Sequence, residues 1–207
     1  MTLASCDSRK TAGENPFFTE WDTPHGVPPF DKILPEHFMP AFERGMSLHE
    51  AEIDAITSNK DEATFENTIL AYDNAGQMLA QTELVFGMLC AAETNDRMQA
   101  LQEQAMPLLA AHRDKIRLDD KLFVRVKEVY DRRAALGLDA EQMRLLQKTY
   151  DSFVRAGALL DAEQKARLKE INGQLSLTAV KFGNNILAEN NNFVLELKSV
   201  SYTHLTL

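Results

Sequence analysis

Cysteine is almost missing from this chain, with two in 207 residues, so a multi-disulfide framework is excluded. A chain of this length buries a core without disulfides or a structural metal. Glycine and proline are also scarce, 9 and 7 residues, which is low for average usage and fits a helix-rich protein. No apolar run approaches the ~18 residues needed to span a bilayer. Cations are in deficit, 22 Lys and Arg against 31 Asp and Glu, for a net charge of −9. Sequence-independent nucleic-acid binding requires a surplus of cations to displace phosphate counterions, so no nucleic-acid partner is expected. The patterns Gly-x-Ser-x-Gly, Gly-x-x-x-x-Gly-Lys and Gly-x-Gly-x-x-Gly are absent, which removes the usual serine-hydrolase and nucleotide signatures. What remains is 44% hydrophobic and 26% charged, an ordinary globular composition.

Histidine is sparse as well: His25, His37, His49, His112 and His204. A zinc hydrolase commonly sets two His four residues apart on one helix, with a Glu between them to activate the bound water. The nearest approach is His49-Glu50-Ala51-Glu52-Ile53, where the fifth position is Ile. One imidazole cannot hold zinc, so no catalytic and no metal-ligating residue is assigned. His49 reads as a residue of a helix surface or boundary. Cys90 lies on an apolar stripe and reads as a small buried hydrophobe.

Six of the seven prolines precede residue 41, so residues 15–34 are expected to be extended and irregular. Helical spacing begins at Glu36, with Phe38, Ala41, Phe42, Gly45, Met46, His49, Ile53 and Ile56 at i, i+3/i+4 steps. A second helix is expected from the N-cap Thr64 through Phe65, Ile69, Tyr72, Gly76, Leu79, Phe86 and Cys90, its stripe broken only at Glu83. A third spans Asp96 to Ile116, with Met98, Leu101, Leu108, Leu109 and Ile116 on one side and Pro107 inside, where it should kink. A fourth covers Asp120–Ala135 and stops at Gly137. The fifth and sixth share one start signal, Leu138-Asp139-Ala140-Glu141-Gln142 and Leu160-Asp161-Ala162-Glu163-Gln164. Asp at the N-cap with Gln three residues on is a variant capping box, read either as convergence on good helix chemistry or as a 22-residue repeat. The sixth helix, to Asn190, should bury Leu168, Ile171, Leu175, Thr178, Phe182 and Ile186. Beyond it, Phe193 to Leu197 alternate like a strand. The fold expected is therefore all-α, an antiparallel helical array over residues 35–197 with one short strand near its C-terminus.

Charge is unevenly placed. Glu50 to Glu103 holds 11 acids and 2 bases, whereas Arg113 to Arg133 holds 8 bases and 5 acids. The second segment reads either as a stripe for an anion or carboxylate, or as a solvated face with pairs such as Lys127–Asp131.

Both ends carry separate signals. Leu3-Ala4-Ser5-Cys6 matches the short pattern read by lipoprotein signal peptidase, in which the Cys is acylated, and the polar tether Asp7-Ser8-Arg9-Lys10-Thr11 follows. Only five residues precede Cys6, fewer than the basic and apolar regions of a working signal require. Residues 1–14 are thus read as a leader and tether with a truncated lipoprotein signal, and Cys6 as the candidate lipid attachment site. This places the protein in the periplasm or envelope, with membrane contact only through that anchor. The alternative is a cytoplasmic protein in which Cys6 is an ordinary leader residue. At the other end the strand phase inverts after Lys198, and Val200 to Leu207 looks like translated adaptor sequence, so residues 198–207 are read as a non-native tail.

Several blocks carry a family resemblance. They include Asn15-Pro16-Phe17-Phe18, Asp22-Thr23-Pro24, Gly26-Val27-Pro28-Pro29-Phe30-Asp31-Lys32-Ile33 and Pro35-Glu36-His37-Phe38. Further blocks follow in order: Thr64-Phe65-Glu66-Asn67-Thr68-Ile69, Leu122-Phe123 with Val126-Lys127, Phe153 to Leu160, and Lys181 to Leu187. Over residues 15–197 they resemble the opening of peptidyl-dipeptidases among the thimet-oligopeptidase-like zinc metallopeptidases, the family that includes oligopeptidase A. The resemblance implies a mostly helical enzyme divided by a deep channel, with zinc held in the C-terminal half by an H-E-x-x-H helix and a later Glu. There zinc would polarise the scissile carbonyl and its water while the motif Glu takes the proton. Short peptides would be the partners, losing dipeptides from their C-termini. None of those catalytic residues has a counterpart here. The resemblance implies an N-terminal channel-wall fragment, inactive alone and without bound zinc. The alternative is a stand-alone, non-catalytic helical interaction module, with or without a membrane tether.

Overall fold

The computed structural model describes residues 15–196. Its N-terminal segment is pinned to the first long helix. Prolines open three single 3-10 turns, Pro16–Phe18, Pro24–Gly26 and Pro35–His37, where a missing N–H costs nothing. Asn15 Nδ2 donates to the His37 carbonyl at 2.8 Å, and Trp21 Nε1 donates to the Pro16 carbonyl at 2.8 Å. Phe17 packs against Phe38, with ring centroids 5.3 Å apart.

The array consists of α1 (Phe38–Ser58), α2 (a π-helical turn Phe65–Leu70 running into Ala71–Asp73), α3 (Gln77–Ala92), α4 (Asp96–Arg117), α5 (Asp120–Asp131), α6 (Ala140–Arg155) and α7 (Ala162–Asn192). The caps read from sequence form as expected. Thr64 and Asn67 bond reciprocally, the Thr64 hydroxyl accepting from the Asn67 N–H and the Asn67 side chain from the Thr64 N–H. Asp139 with Gln142 and Asp161 with Gln164 do the same. Each such cap contributes ~1 kcal/mol.

Four expectations are corrected. The single helix expected from Thr64 to Cys90 is two, because the chain turns at Asn74-Ala75-Gly76, where Gly76 adopts φ +75°. Its N–H donates to Glu52 Oε2 of α1 at 2.7 Å, so a tertiary contact replaces the helical ladder there. The strand expected at Phe193–Leu197 is absent among the described residues. Phe193 to Glu196 leave α7 in an extended, exposed run with no second strand to pair with, and Leu197 lies outside the described residues. Of the stripe expected to be buried on α7, Leu168 is half-buried but the rest faces outward: Ile171 is 43% exposed, Leu175 62%, Phe182 66% and Ile186 46%, and Thr178 is exposed too. Helix α7, about 46 Å long at 1.5 Å per residue, lies along α4, and one neighbour covers only one side of a helix. On the covered side Val180 is buried, Asn172 donates to Asp114 at 2.8 Å and Asn184 to Glu103 at 3.3 Å. Leu108 of α4, also expected inside, is exposed, and α4 runs through Pro107 as one helix.

Two apolar clusters result. The first joins Phe17, Ile33, Phe38, Phe42, Leu79, Val85, Phe86, Met98 and Leu109. The second joins Ile53, Ile56, Phe65, Ile69, Ile116, Leu122, Phe123, Val126, Leu146 and Phe153. Helix α1 runs antiparallel to α3, brought close by Gly45, where an added Cβ would lie 3.0 Å from the Leu79 Cα. Helices α1 and α4 are the members that pass through both clusters.

Candidate functional site

A group of polar side chains lies where the two clusters meet. On α1, His49 falls between Phe42 of one cluster and Ile53 of the other; on α4, His112 falls between Leu109 and Ile116. Helical spacing on each element therefore turns an imidazole toward the same seam. His49 Nδ1 and His112 Nε2 are 3.0 Å apart and share one hydrogen, with the ring planes inclined at 59°. His112 is 5% exposed. Among the described residues its Nδ1 has no hydrogen-bond partner; the Glu50 carboxylate stands 3.5 Å away, beyond good geometry for that ring. Glu50 is held instead by Lys115, at 2.8 Å. Gly76 closes the site from the α2–α3 turn: a Cβ built there would lie 3.0 Å from His49 Nδ1.

Burial lowers the pKa of His49 below its usual 6.5, and the neighbouring His112 adds to the effect while Glu52 and Glu50 oppose it. Burial likewise lowers His112, against the pull of Glu50. Glu50 is held below the usual carboxylate value chiefly by its hydrogen bond with Lys115. Chemically the two neutral rings share one hydrogen, and once singly protonated the pair can pass a proton from one ring to the other. Among the described residues no hydroxyl or thiol hydrogen-bonds to either ring. The cluster also does not fit zinc, since the two ring nitrogens face one another and no third His, Cys, Asp or Glu completes a ligand set among the described residues.

The other residues singled out from sequence fall elsewhere. Cys6 and His204 lie outside the described residues. His37 Nδ1 accepts from the Leu34 N–H at 3.1 Å, a helix-start contact. Cys90 is half-buried against the first cluster, and burial raises its pKa. The basic stripe of Arg113–Arg133 is largely occupied within the chain. Lys127 pairs with Asp131, Arg132 with Glu62 and the Ala63 carbonyl, and Lys115 with Glu50. Arg125 donates to the Asn59 and Asp61 carbonyls at 2.9 and 3.1 Å and to Asn67 Oδ1 at 3.1 Å, clamping the α1–α2 loop. The solvated, internally paired reading of that segment is the one supported. His112 was missed, although its place three after Leu109 and four before Ile116 put it in the buried register.

No protein-family model matches the chain. Among curated proteins, dipeptidyl carboxypeptidase of Escherichia coli (strain K12) is 41% identical over 176 residues, 85% of this chain and 26% of the relative. The chain is related to dipeptidyl carboxypeptidase. The Salmonella typhimurium dipeptidyl carboxypeptidase is 38% identical over 174 residues, with the same 26% of its length covered. Oligopeptidase A of Escherichia coli follows at 24% over 165 residues and 24% of its length. The chain is thus similar to dipeptidyl carboxypeptidase and, more distantly, to oligopeptidase A. It spans about a quarter of the length of the relatives it matches.

Proposed function

We propose that this chain is the N-terminal, channel-wall portion of a zinc-dependent peptidyl-dipeptidase, a protein that releases dipeptides from the C-termini of short peptides. The observation that carries the reading is a 41% identity sustained over 85% of the chain yet only 26% of a dipeptidyl carboxypeptidase. The outward apolar face of α7 supports it, because Leu175 and Phe182 are more than 60% exposed, as expected of a wall that a further part of the protein covers. The residues present do not fit zinc, so no step of peptide hydrolysis is assigned to them. Their part is to build and hold one side of a substrate channel.

The gene decides the point. Reading the genomic DNA downstream of this frame is expected to reveal an in-frame H-E-x-x-H helix; a native stop codon close after Leu197 would overturn the reading and favour a stand-alone helical module. Purified 1–207 is expected to release no dipeptide from an N-blocked tetrapeptide. Release abolished by a chelator and restored by zinc would contradict the division of labour proposed here.

The same proposal extends to location. We place the parent in the envelope, acylated at Cys6, where several acyl chains at ~0.8 kcal/mol per buried CH₂ would hold it firmly. The motivation is Leu3-Ala4-Ser5-Cys6 followed by a polar tether. No helix among the described residues is long and apolar enough to cross a membrane. Fractionation of the full-length protein and its Cys6→Ser variant tests this: the wild type should pellet with membranes and the variant should not. Cytosolic recovery of both would end the lipoprotein reading.

A further inference from the structure

We propose that the His49–His112 pair is an acid-sensitive latch that couples the two apolar halves of the array and releases them when both rings are protonated. The proposal concerns the chain itself and does not depend on the peptidase reading.

The argument begins with position. Helices α1 and α4 pass through both clusters, and the imidazoles sit on each of them at the changeover, between Phe42 and Ile53 and between Leu109 and Ile116. A polar joint in an apolar seam holds only while its hydrogen bond is made, since unpaired polar groups in such a place cost free energy. With both rings neutral, one hydrogen lies between His49 Nδ1 and His112 Nε2, 3.0 Å apart. If His49 supplies it, His112 carries its own hydrogen on Nδ1, toward Glu50. That arrangement avoids setting a ring lone pair against a carboxylate 3.5 Å away. One added proton is still accommodated, because a charged His112 donates from Nε2 to His49 and sets its second N–H and its charge opposite the Glu50 carboxylate 3.5 Å away. A second is not. Two imidazolium rings would place N–H against N–H at the 3.0 Å contact, and both would be cations in a seam where His112 is only 5% exposed.

The groups around the pair do not relieve this. From α1, Glu50 faces His112 but is engaged by Lys115 of α4, a cation that itself opposes protonation of His112. Glu52, also of α1, faces His49 but accepts from the Gly76 N–H at 2.7 Å. From α3, Glu83 adds a favourable but distant charge to His112. The α2–α3 turn presents Gly76, whose missing Cβ lets the His49 ring lie against the backbone. Swinging either carboxylate toward the rings breaks a contact that closes the same seam.

The sign of the pH effect follows from burial. Both rings are held below their ordinary 6.5, so the unfolded chain binds more protons than the folded one just below that value. The latch stabilises fully above pH 6.5 and weakens as the pH falls through 6.5 toward the lowered folded values. A buried ring kept neutral costs about tenfold in the folding equilibrium per pH unit below its unfolded pKa.

The test is urea unfolding of the 207-residue chain between pH 7.5 and 5.5, beside the His49→Gln/His112→Gln double variant. The wild type is expected to lose about tenfold or more in its folding equilibrium across that range and the double variant less than about threefold. Amide exchange should localise the loss. In the wild type Gly76 and the α1 and α4 amides near the pair should open at pH 5.5, while Ile69 and Phe153 stay protected. If the double variant does not fold, imidazole carbon shifts of the wild type decide. Two rings still neutral at pH 6.5 and titrating only below it are expected. Either ring half-protonated at or above pH 6.5, equal pH dependence in both proteins, or no cooperative folding at pH 7.5 would overturn the latch.

Discussion

Gly76 and His49 are in contact across the α1–α3 seam: a Cβ on the glycine would lie 3.0 Å from His49 Nδ1, and the glycine backbone has φ +75°. One residue thus satisfies two demands, a left-handed turn and room for an imidazole. Gly76→Ala meets both penalties, and a loss of about 1–3 kcal/mol in urea unfolding is expected. A loss below ~0.5 kcal/mol would mean that the ring moves aside freely and the contact is incidental.

Arg125 carries the loop between α1 and α2. Its guanidinium is buried and bonds two backbone carbonyls and the Asn67 side chain, which itself caps α2. Arg125→Met keeps the apolar stem and removes every donor, leaving those oxygens short of partners. The expected cost is about 2–4 kcal/mol, with faster amide exchange at residues 59–67. An unchanged exchange pattern would show that the loop holds itself.

Phe153 anchors the second cluster. It is fully buried, with ring centroids 5.3 Å from Tyr72 and 6.1 Å from Phe123. Phe153→Ala should cost about 3–5 kcal/mol, through lost transfer energy and the cavity left behind. A smaller loss in equilibrium unfolding would indicate that α2, α5 and α6 close over the gap.

The outer face of α7 should behave differently. Leu175 and Phe182 are 62% and 66% exposed, so Leu175→Ser with Phe182→Ser should change stability by less than about 0.5 kcal/mol. The same pair should reduce binding of a hydrophobic dye and self-association seen by sedimentation. Equal dye binding by both proteins would place the sticky surface elsewhere.

Local rules were enough for much of this molecule. The caps Thr64, Asp139 and Asp161, the apolar register of α1 and the Lys127–Asp131 pair depend on residues three or four apart, and a helix brings those together whatever surrounds it. Three things depended on contacts distant in sequence. The break at Gly76 follows from a hydrogen bond to Glu52, 24 residues earlier, which periodicity cannot anticipate. The exposure of Ile171, Leu175 and Phe182 depends on how many neighbours α7 has, and an apolar stripe says only that a partner would be favourable, not that one is present. The pairing of His49 with His112 joins positions 63 apart. Each ring's helical face was implicit in its spacing. That the two faces meet was decided only when α1 and α4 packed side by side, because the apolar residues flanking each histidine had to be buried together.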